Sequence, residues 1–257
     1  DITKEPIPVV PTIHYQMGGI PTNINGQVVV WDGEKNNVVN GLYAVGECSC
    51  VSVHGANRLG TNSLLDLLVF GKSAGKHIVH YVNGYGDHQP MPGDGSDRTL
   101  ARLNQLQDSK DGTYAQDVAN DIRASMQQHA GVFRTQKGMD EGVVKINAIR
   151  DRVASVTLKD KSKVWNTARM EALEVDNLIE VAQATMTSAA ARKECRGAHT
   201  VYDYEHPADH PECPLGRNDK EWMKHTLWHS ANNNLTYKPV NLKPLTVDSI
   251  PPKVRTF

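Results

Sequence analysis

One stretch of the sequence, Ser52–Leu64, combines residue types that could bind an anionic ligand. It places a histidine, an asparagine and Arg58 in a glycine-flanked loop, directly before an apolar segment that predicts a helix. Glycines let the backbone approach a ligand closely, and a helix N-terminus offers unbonded N–H groups to an anion. The Arg58 guanidinium is suited to a two-bond contact with a carboxylate. An arginine before a helix is also often only a solvated charge, so both interpretations stay open.

A second stretch, Gly41–Glu47, predicts a short strand that ends in Gly-Glu. Open α/β sheets hold dinucleotides at the carboxyl ends of parallel strands, where the Glu47 carboxylate could accept hydrogen bonds from a ribose. An ordinary buried strand followed by a capping glutamate is the alternative.

A third stretch, Thr12–Thr22, contains His14 and the pair Gly18-Gly19. An imidazole can donate a hydrogen bond to a carboxylate or transfer a proton. A single histidine beside tyrosine and methionine is more often a core residue, and paired glycines are only weak evidence of function.

Other polar residues predict less. His206, His210 and Cys213 are spaced like metal ligands but lie in a proline-rich stretch with no matching second pair, so we predict no metal site. Four cysteines in 257 residues are too few for a disulfide framework, which indicates reduced, intracellular thiols.

Composition excludes two classes of protein. The formal net charge of −1 lacks the basic surplus of a nucleic-acid-coating protein, so we expect no nucleic-acid partner. No uncharged apolar run approaches the roughly 18–20 residues that span a bilayer. The chain begins with Asp1 and a proline-rich segment that is typical of a connection inside a protein, so we expect a fragment.

The elements that must position these residues indicate an α+β protein with three parts. Residues 1–95 are rich in glycine and β-branched residues. They predict a strand at Gln27–Trp31, a turn at Asp32-Gly33 and a helix at Ser63–His77, which is apolar nearly all round and is therefore expected to be buried. The glycine-rich loop up to Gly95 predicts the first domain boundary.

Residues 96–193 predict an antiparallel helical bundle. Residues 194–257 contain prolines that interrupt helices and predict a short β/coil tail. The predicted bundle helices and tail hairpin strands are Thr99–Gln107, Tyr114–His129, Met139–Val153 and Trp165–Lys193, then Trp222–Trp228 and Asn234–Val240.

Three strings of residues, which occur in this order, resemble the succinate dehydrogenase and fumarate reductase flavoprotein family. They are His-Tyr-x-Met-Gly-Gly-Ile-Pro-Thr at 14–22, Gly-Leu-Tyr-Ala-Val-Gly-Glu at 41–47 and Val-His-Gly-Ala-Asn-Arg-Leu-Gly-x-Asn-Ser-Leu-Leu-Asp at 53–66. The resemblance continues through Glu194–His199, where the family usually has serine at Cys195, and covers essentially the whole chain. The ending Pro251–Phe257 resembles succinate dehydrogenase.

The resemblance implies that residues 1–95 are the C-terminal part of an FAD-binding α/β domain. It implies that Arg58 and His14 bind the dicarboxylate substrate and that Glu47 binds the ribityl or ribose region of FAD. Ser63 and Leu64, at the helix start, would meet the flavin ring through backbone N–H groups. No residue of this chain is expected to transfer the proton, because the family's proton-transfer arginine lies in a capping domain outside it.

The chain also lacks the GxGxxG fingerprint that cradles the pyrophosphate of FAD. The resemblance therefore implies part of an enzyme that oxidises succinate to fumarate, inactive alone. Fumarate reductase, or a non-catalytic module that docks an iron–sulfur subunit, are the alternatives. The implied partners are that iron–sulfur subunit and, through it, membrane anchor subunits. The implied location is peripheral, at the cytoplasmic face of a bacterial inner membrane or the matrix side in mitochondria.

Overall fold

The computed structural model describes residues 1–9, 14–85, 90–205, 216–244 and 246–252. The chain divides into two compact units. Unit 1 comprises Asp1–His88 together with Arg196–His199. Unit 2 comprises Gln89–Cys195 together with Thr200–Phe257. Helices and strands occur in both, which confirms the predicted α+β class.

Unit 1 contains four strands and one long helix. They are β1 (Ile20–Pro21), β2 (Gln27–Trp31), β3 (Asn36–Tyr43), β4 (Ser49–Cys50) and α1 (Asn62–Tyr85). Strands β2 and β3 form an antiparallel hairpin, and β1 pairs with β4 in parallel. The hairpin turn is stabilised by Asp32, whose Oδ1 accepts hydrogen bonds from the backbone N–H groups of Glu34 and Lys35 at 2.9 and 2.8 Å. This confirms the strand predicted at Gln27–Trp31 and the turn at Asp32-Gly33. The prediction of a strand that ends at Glu47 is wrong, because β3 ends at Tyr43 and pairs antiparallel with β2.

Helix α1 is longer than the predicted segment, and the expectation that it is buried is wrong for the described chain. Only Asp66 and Ala74 are buried among its 24 residues, and Leu64, Leu68 and Val79 are more than half exposed. The short strands of unit 1 offer little surface to cover it. Ala74 is enclosed because Gly26 approaches so closely that an added Cβ would lie 2.8 Å from the Cβ of Ala74.

Unit 2 is built on four helices, α2 to α5. They are α2 (Asp97–Asp108), α3 (Ala115–His129), α4 (Gln136–Val153) and α5 (Thr167–Ala191). All four predicted bundle helices are confirmed, with ends that differ by up to three residues. The N-termini of α4 and α5 are capped by Thr135 and Asn166, whose side chains accept a hydrogen bond from a backbone N–H three residues later.

Contacts along the helices show that α4 runs antiparallel to both α3 and α5. Arg150 of α4 forms an ion pair with Glu180 of α5 at 2.6 Å. Nearer the start of α4, an added Cβ on Gly142 would lie 2.7 Å from Met186 Sδ of α5 and 2.6 Å from the Cβ of His129, the last residue of α3. The core between them consists chiefly of apolar side chains at helical spacing: Val118, Ile122, Ile146, Ile149, Val175, Ile179 and Met186.

Two short additions complete unit 2. Strands β5 (Thr113–Tyr114) and β6 (Val156–Thr157) form a parallel pair that the sequence did not predict. The tail contains α6 (Asp219–Trp222) and the antiparallel hairpin of β7 (Lys224–His229) and β8 (Asn234–Pro239), which confirms the predicted hairpin. Across the described ranges, no helix has the length and apolar character needed to cross a membrane.

Candidate functional site

In unit 1 the three sequence stretches meet around the side chain of Tyr15. The Arg58 guanidinium carbon lies 4.6 Å from the centre of the Tyr15 ring. The His54 ring stands edge-on to the same ring, with 6.0 Å between centroids and 75° between planes. The side chains of Tyr15 and Ser63 are hydrogen bonded. Residues far apart in sequence therefore form one cluster, which we call the Tyr15 cluster: Tyr15, His54, Arg58, Ser63 and Asp66.

The pairing of β1 with β4 explains why the first stretch reaches the others. Ile20 lies opposite Ser49 in parallel register, so the chain leading into β1 runs beside the turn that carries Glu47. Gly19 allows this close passage. Its φ is +127°, and an added Cβ would lie 2.5 Å from the carbonyl oxygen of Cys48.

Asp66 and His54 form an ion-pair geometry inside the cluster, with 2.9 Å between Asp66 Oδ2 and His54 Nε2. Their side chains are only 3% and 14% exposed. Asp66 is the fifth residue of α1, close to the end where a helix favours negative charge. The contact therefore ties the loop before α1 to the helix itself.

Buried polar atoms without a partner concentrate in this cluster. In the described part of the chain, five buried side-chain atoms have no hydrogen-bond partner, and three belong to the cluster: His54 Nδ1, Arg58 Nε and Asp66 Oδ1. An unsatisfied buried polar atom typically costs about 1–3 kcal/mol. Such a concentration is typical of a site that a polar ligand completes.

The same surroundings keep Tyr15 neutral. Burial, followed by the negative charges of Asp66 and Glu47, raises the pKa of the Tyr15 hydroxyl, against the opposing effects of Ser63 and Arg58. The phenol therefore stays protonated at neutral pH and presents its ring, rather than a negative charge, to the Arg58 guanidinium.

The predicted site residues lie in or beside this cluster. Arg58 is half-buried, and its Nη1 donates to the carbonyl oxygens of Gly60 and, at 3.5 Å, Leu59. Ser63 is half-buried and bound to Tyr15. Glu47 is exposed on a 3-10 turn, near enough to Tyr15 to affect the pKa of its hydroxyl.

The two remaining predicted residues are less enclosed. His14 is exposed and adjoins Tyr15 in sequence. Leu64 is 65% exposed, and its backbone N–H already donates to the Thr61 carbonyl oxygen at 3.2 Å. An N–H engaged in this turn is a poorer donor to a ligand than the prediction assumes. The proposed ligand roles of all five residues stay predictions.

Sequence reasoning missed three residues of the cluster, Tyr15, His54 and Asp66, as well as a segment from the far end of the chain. Arg196–His199 belongs to unit 1. Gly197 packs against the Arg58 loop so closely that an added Cβ would lie 2.3 Å from the Ala56 carbonyl oxygen. The motif containing Gly197 was noted in the sequence, but no local pattern indicates its distant neighbour.

The described residues contain no group of three or more histidine, cysteine or acidic side chains placed to hold a metal ion. Three of the residues weighed as zinc ligands, His206, His210 and Cys213, lie outside the described residues.

The chain is similar to known protein families and to individual proteins. Residues 119–257 match the family model described as "Fumarate reductase flavoprotein C-term", and residues 1–64 match an FAD-binding domain model. The succinate dehydrogenase flavoprotein subunit of Rickettsia bellii is 47% identical over the whole chain. The mitochondrial subunit of Oryza sativa is 40% identical, also over the whole chain.

The chain spans about two fifths of the length of these relatives, 42% and 40% respectively. Among solved structures, a mutant E. coli quinol fumarate reductase superposes with a TM-score of 0.75 at 32% identity, over 96% of this chain and 40% of that one. Sdh1 of Mycobacterium smegmatis gives a TM-score of 0.67 at 30% identity, over 74% and 30%. The chain therefore belongs to the succinate dehydrogenase and fumarate reductase flavoprotein family, of which it represents a C-terminal segment.

Proposed function

We propose that this chain is the C-terminal part of a flavoprotein subunit that oxidises succinate to fumarate with FAD. The observation that carries the proposal is the Tyr15 cluster, in which Arg58 lies against the Tyr15 ring and three buried polar atoms, Arg58 Nε among them, lack partners. Succinate is favoured over fumarate as the physiological substrate by the relatives. Succinate dehydrogenase subunits match at 39–47% identity, against 32% for a fumarate reductase subunit of Mycobacterium tuberculosis.

The residues of this chain fit the binding of a flavin and a dicarboxylate. The unpartnered atoms His54 Nδ1, Arg58 Nε and Asp66 Oδ1 provide polar groups for a ligand. Gly18 and Gly55 adopt φ values of +94° and +60° with no atom within 4 Å of an added Cβ, so the backbone there is open to close approach. FAD, when bound, supplies the acceptor for the two electrons of succinate.

The proposed work of the protein is positioning. Arg58 binds one carboxylate with two parallel hydrogen bonds, and His14 donates a hydrogen bond to a carboxylate. Holding both ends of succinate fixes the direction of the C–H bond that breaks. Fixed cationic donors also stabilise charge that develops on a carboxylate in the transition state. Glu47 would accept hydrogen bonds from ribityl or ribose hydroxyl groups, and Ser63 and Leu64 would meet the flavin ring through their backbone.

The rest of the proposal concerns the whole subunit. We expect this chain alone not to oxidise succinate, because it contains neither the pyrophosphate-binding fingerprint nor a proton-transfer arginine from a capping domain. The proposed partners are an iron–sulfur subunit and, through it, membrane anchor subunits that pass electrons to quinone. The proposed location is peripheral, on the cytoplasmic or matrix side of the membrane.

A chimera tests the proposal directly. In it, this chain replaces the matching segment of the Rickettsia bellii subunit, and reduction of a dye by succinate is measured with bound FAD. We expect the chimera to oxidise succinate and the 257-residue chain with added FAD to show no turnover. A chimera that folds and retains FAD but does not oxidise succinate, beside an active Rickettsia parent, would falsify the proposal.

A further inference from the structure

The pair formed by His54 and Asp66 has no part in the proposed function, although it lies in the Tyr15 cluster. We propose that His54 and Asp66 are a positioning pair that fixes the orientation of the Arg58 guanidinium through the ring of Tyr15. The importance of Arg58 rests on the proposed function, whereas the contacts that position it lie within this chain.

The first step is the anchor. Asp66 projects from the regular backbone of α1, and its side chain is only 3% exposed, so the carboxylate has little freedom to move. His54 lies in an irregular loop, between Ser52 with a φ of 73° and Gly55 with a φ of 60°. The 2.9 Å contact between Nε2 and Oδ2 holds this loop to the helix. It also assigns the Nε2 proton to the side facing Asp66.

The second step passes from His54 to Tyr15. The edge-on geometry, 6.0 Å between centroids and 75° between planes, is one that aromatic rings favour. At its other end Tyr15 is hydrogen bonded to Ser63, which also belongs to α1. The Tyr15 ring is therefore held from two directions by groups whose positions depend on the same helix.

The third step passes from Tyr15 to Arg58. The guanidinium carbon lies 4.6 Å from the ring centre, within the range of a cation–π contact. The carbonyl oxygen of Gly60 binds Nη1, while Nε has no partner. Because the loop binds the guanidinium through Nη1, the plane of the guanidinium can still rotate. The face of the Tyr15 ring therefore determines the orientation of that plane. A two-bond contact with a carboxylate requires this orientation.

If His54 and Asp66 had only a structural role, replacing either of them would lower the stability of unit 1 without moving Arg58. The position of Arg58 is therefore the quantity to measure. In the isotope-labelled 257-residue chain, the Tyr15 ring current should shift the Arg58 δ-protons upfield in the NMR spectrum. Tyr15→Leu defines their unshifted position.

We expect His54→Leu to move the Arg58 δ-protons most of the way to the Tyr15→Leu position. His54→Gln should move them only part of the way, because its side-chain amide can still donate to Asp66 but cannot stand edge-on to the Tyr15 ring. His80→Leu, which removes an exposed histidine elsewhere on α1, is the matched control and should change nothing. Unmoved Arg58 protons in His54→Leu would overturn the proposal.

The hydrogen bond of 2.8 Å between Tyr43 Oη and His77 Nδ1 reports whether unit 1 remains folded. If the His54→Leu variant lacks this hydrogen-bond signal, unit 1 is not folded, and the Asp66→Asn variant is compared with the parent instead. Asp66→Asn keeps the shape of the side chain but weakens the anchor. Asp66→Asn should move the Arg58 protons part of the way, and unmoved protons would again overturn the proposal.

The chimera supplies a second readout. His54→Leu should raise the KM for succinate about tenfold, since small errors in placement are costly, and His54→Gln should raise it less because it keeps the donor to Asp66. A KM unaffected by a displaced Arg58 would overturn the positioning role. The NMR result does not depend on succinate, so failure of the pair is distinguishable from failure of the proposed function.

Discussion

Glu194 is the one acidic side chain that is fully buried among the described residues, and its two oxygens are both bound. Oε1 accepts from Arg192 Nη1 at 2.7 Å, and Oε2 accepts from the backbone N–H of Asn218 at 2.9 Å. Arg192 also donates to the carbonyl oxygens of Trp222 and Lys224. This pair therefore joins the end of α5 to the tail.

We expect Glu194→Gln to lower the free energy of unfolding of unit 2 by about 3 kcal/mol, because it removes the buried carboxylate charge that binds Arg192 Nη1 at 2.7 Å. Urea unfolding followed by circular dichroism measures the change. Glu141→Gln is the control, since Glu141 pairs with Lys137 at 4.0 Å on the surface and such pairs contribute less than about 1 kcal/mol. An equal decrease in the free energy of unfolding in the two variants would show that the buried pair contributes no more to stability than the surface pair.

His225 makes the stability of unit 2 depend on pH. Burial, helped by the positive charges of Lys238 and Arg192, lowers the pKa of His225 below its ordinary value of 6.5. The unfolded chain then binds a proton more readily than the folded one. The contribution to stability is complete above the unfolded pKa and is lost as the pH falls through the folded pKa.

Unfolding by urea between pH 8 and pH 5 tests this direction. The parent should lose stability towards acid, and His225→Gln should flatten the curve. His229→Gln removes the other histidine of the same strand and should leave the parent's slope. If the curve of His225→Gln followed the parent's curve, the half-buried imidazole would not be its origin.

At the scale of residues, sequence alone identified the loop that carries Arg58 but not the residues that fix it. Glycines and an arginine before a helix are a local pattern. The contacts of His54 with Asp66 and Tyr15 join positions 12 and 39 residues apart. Only the folded structure brings such pairs together.

At the C-terminus of α2, a side chain that is distant in sequence binds carbonyl groups of the helix end. Lys161 Nζ donates to the carbonyl oxygen of Leu106 at 2.8 Å and to that of Ser109 at 2.7 Å. Carbonyl groups at a helix C-terminus lack partners within the helix and carry partial negative charge. The Lys161 ammonium satisfies both needs.

We expect Lys161→Met to lower the free energy of unfolding of unit 2 by about 1–2 kcal/mol, because it leaves these carbonyl groups without a charged donor. Lys163→Met, at an exposed position of the same loop, is the matched control and should have little effect. A thermal unfolding comparison that places both variants at the parent's midpoint would contradict this role.

Long amphipathic helices were predictable because their apolar residues recur at helical spacing over several turns. The pair β5–β6 was not, since two-residue strands carry no periodic signal and form through partners 43 positions apart. Helix α1 was predicted as a helix but wrongly as a buried one. A continuous apolar pattern shows that a helix needs to be covered, and it does not show what covers it.

At the scale of the whole molecule, we expect the chain to be cleaved first between its units. Digestion with a broad-specificity protease at low concentration should give early products cut within residues 84–97, identified by mass spectrometry. This range includes the boundary at His88–Gln89 and the predicted hinge near Gly95. Early cuts confined to other regions, with 84–97 intact, would count against two separate units.

The central claim is that this chain supplies the main carboxylate-binding residue of a succinate-oxidising subunit. Only a guanidinium can bind one carboxylate with two parallel hydrogen bonds, so lysine is a poor substitute. Loss of a desolvated charged contact costs on the order of 2–5 kcal/mol, a factor of roughly thirty to several thousand in rate. In the proposed site His14 would donate one hydrogen bond, and its loss should cost less.

The most direct measurement is kcat/KM for succinate in the chimera carrying Arg58→Ala, Arg58→Lys or His14→Ala. Arg123→Ala, which removes an exposed arginine of α3, is the control for a general loss of positive charge. We expect Arg58→Ala to abolish turnover, Arg58→Lys to leave little activity, His14→Ala to be less severe and Arg123→Ala to resemble the parent. Near-normal activity of Arg58→Lys, or a greater loss in His14→Ala than in Arg58→Ala, would contradict it.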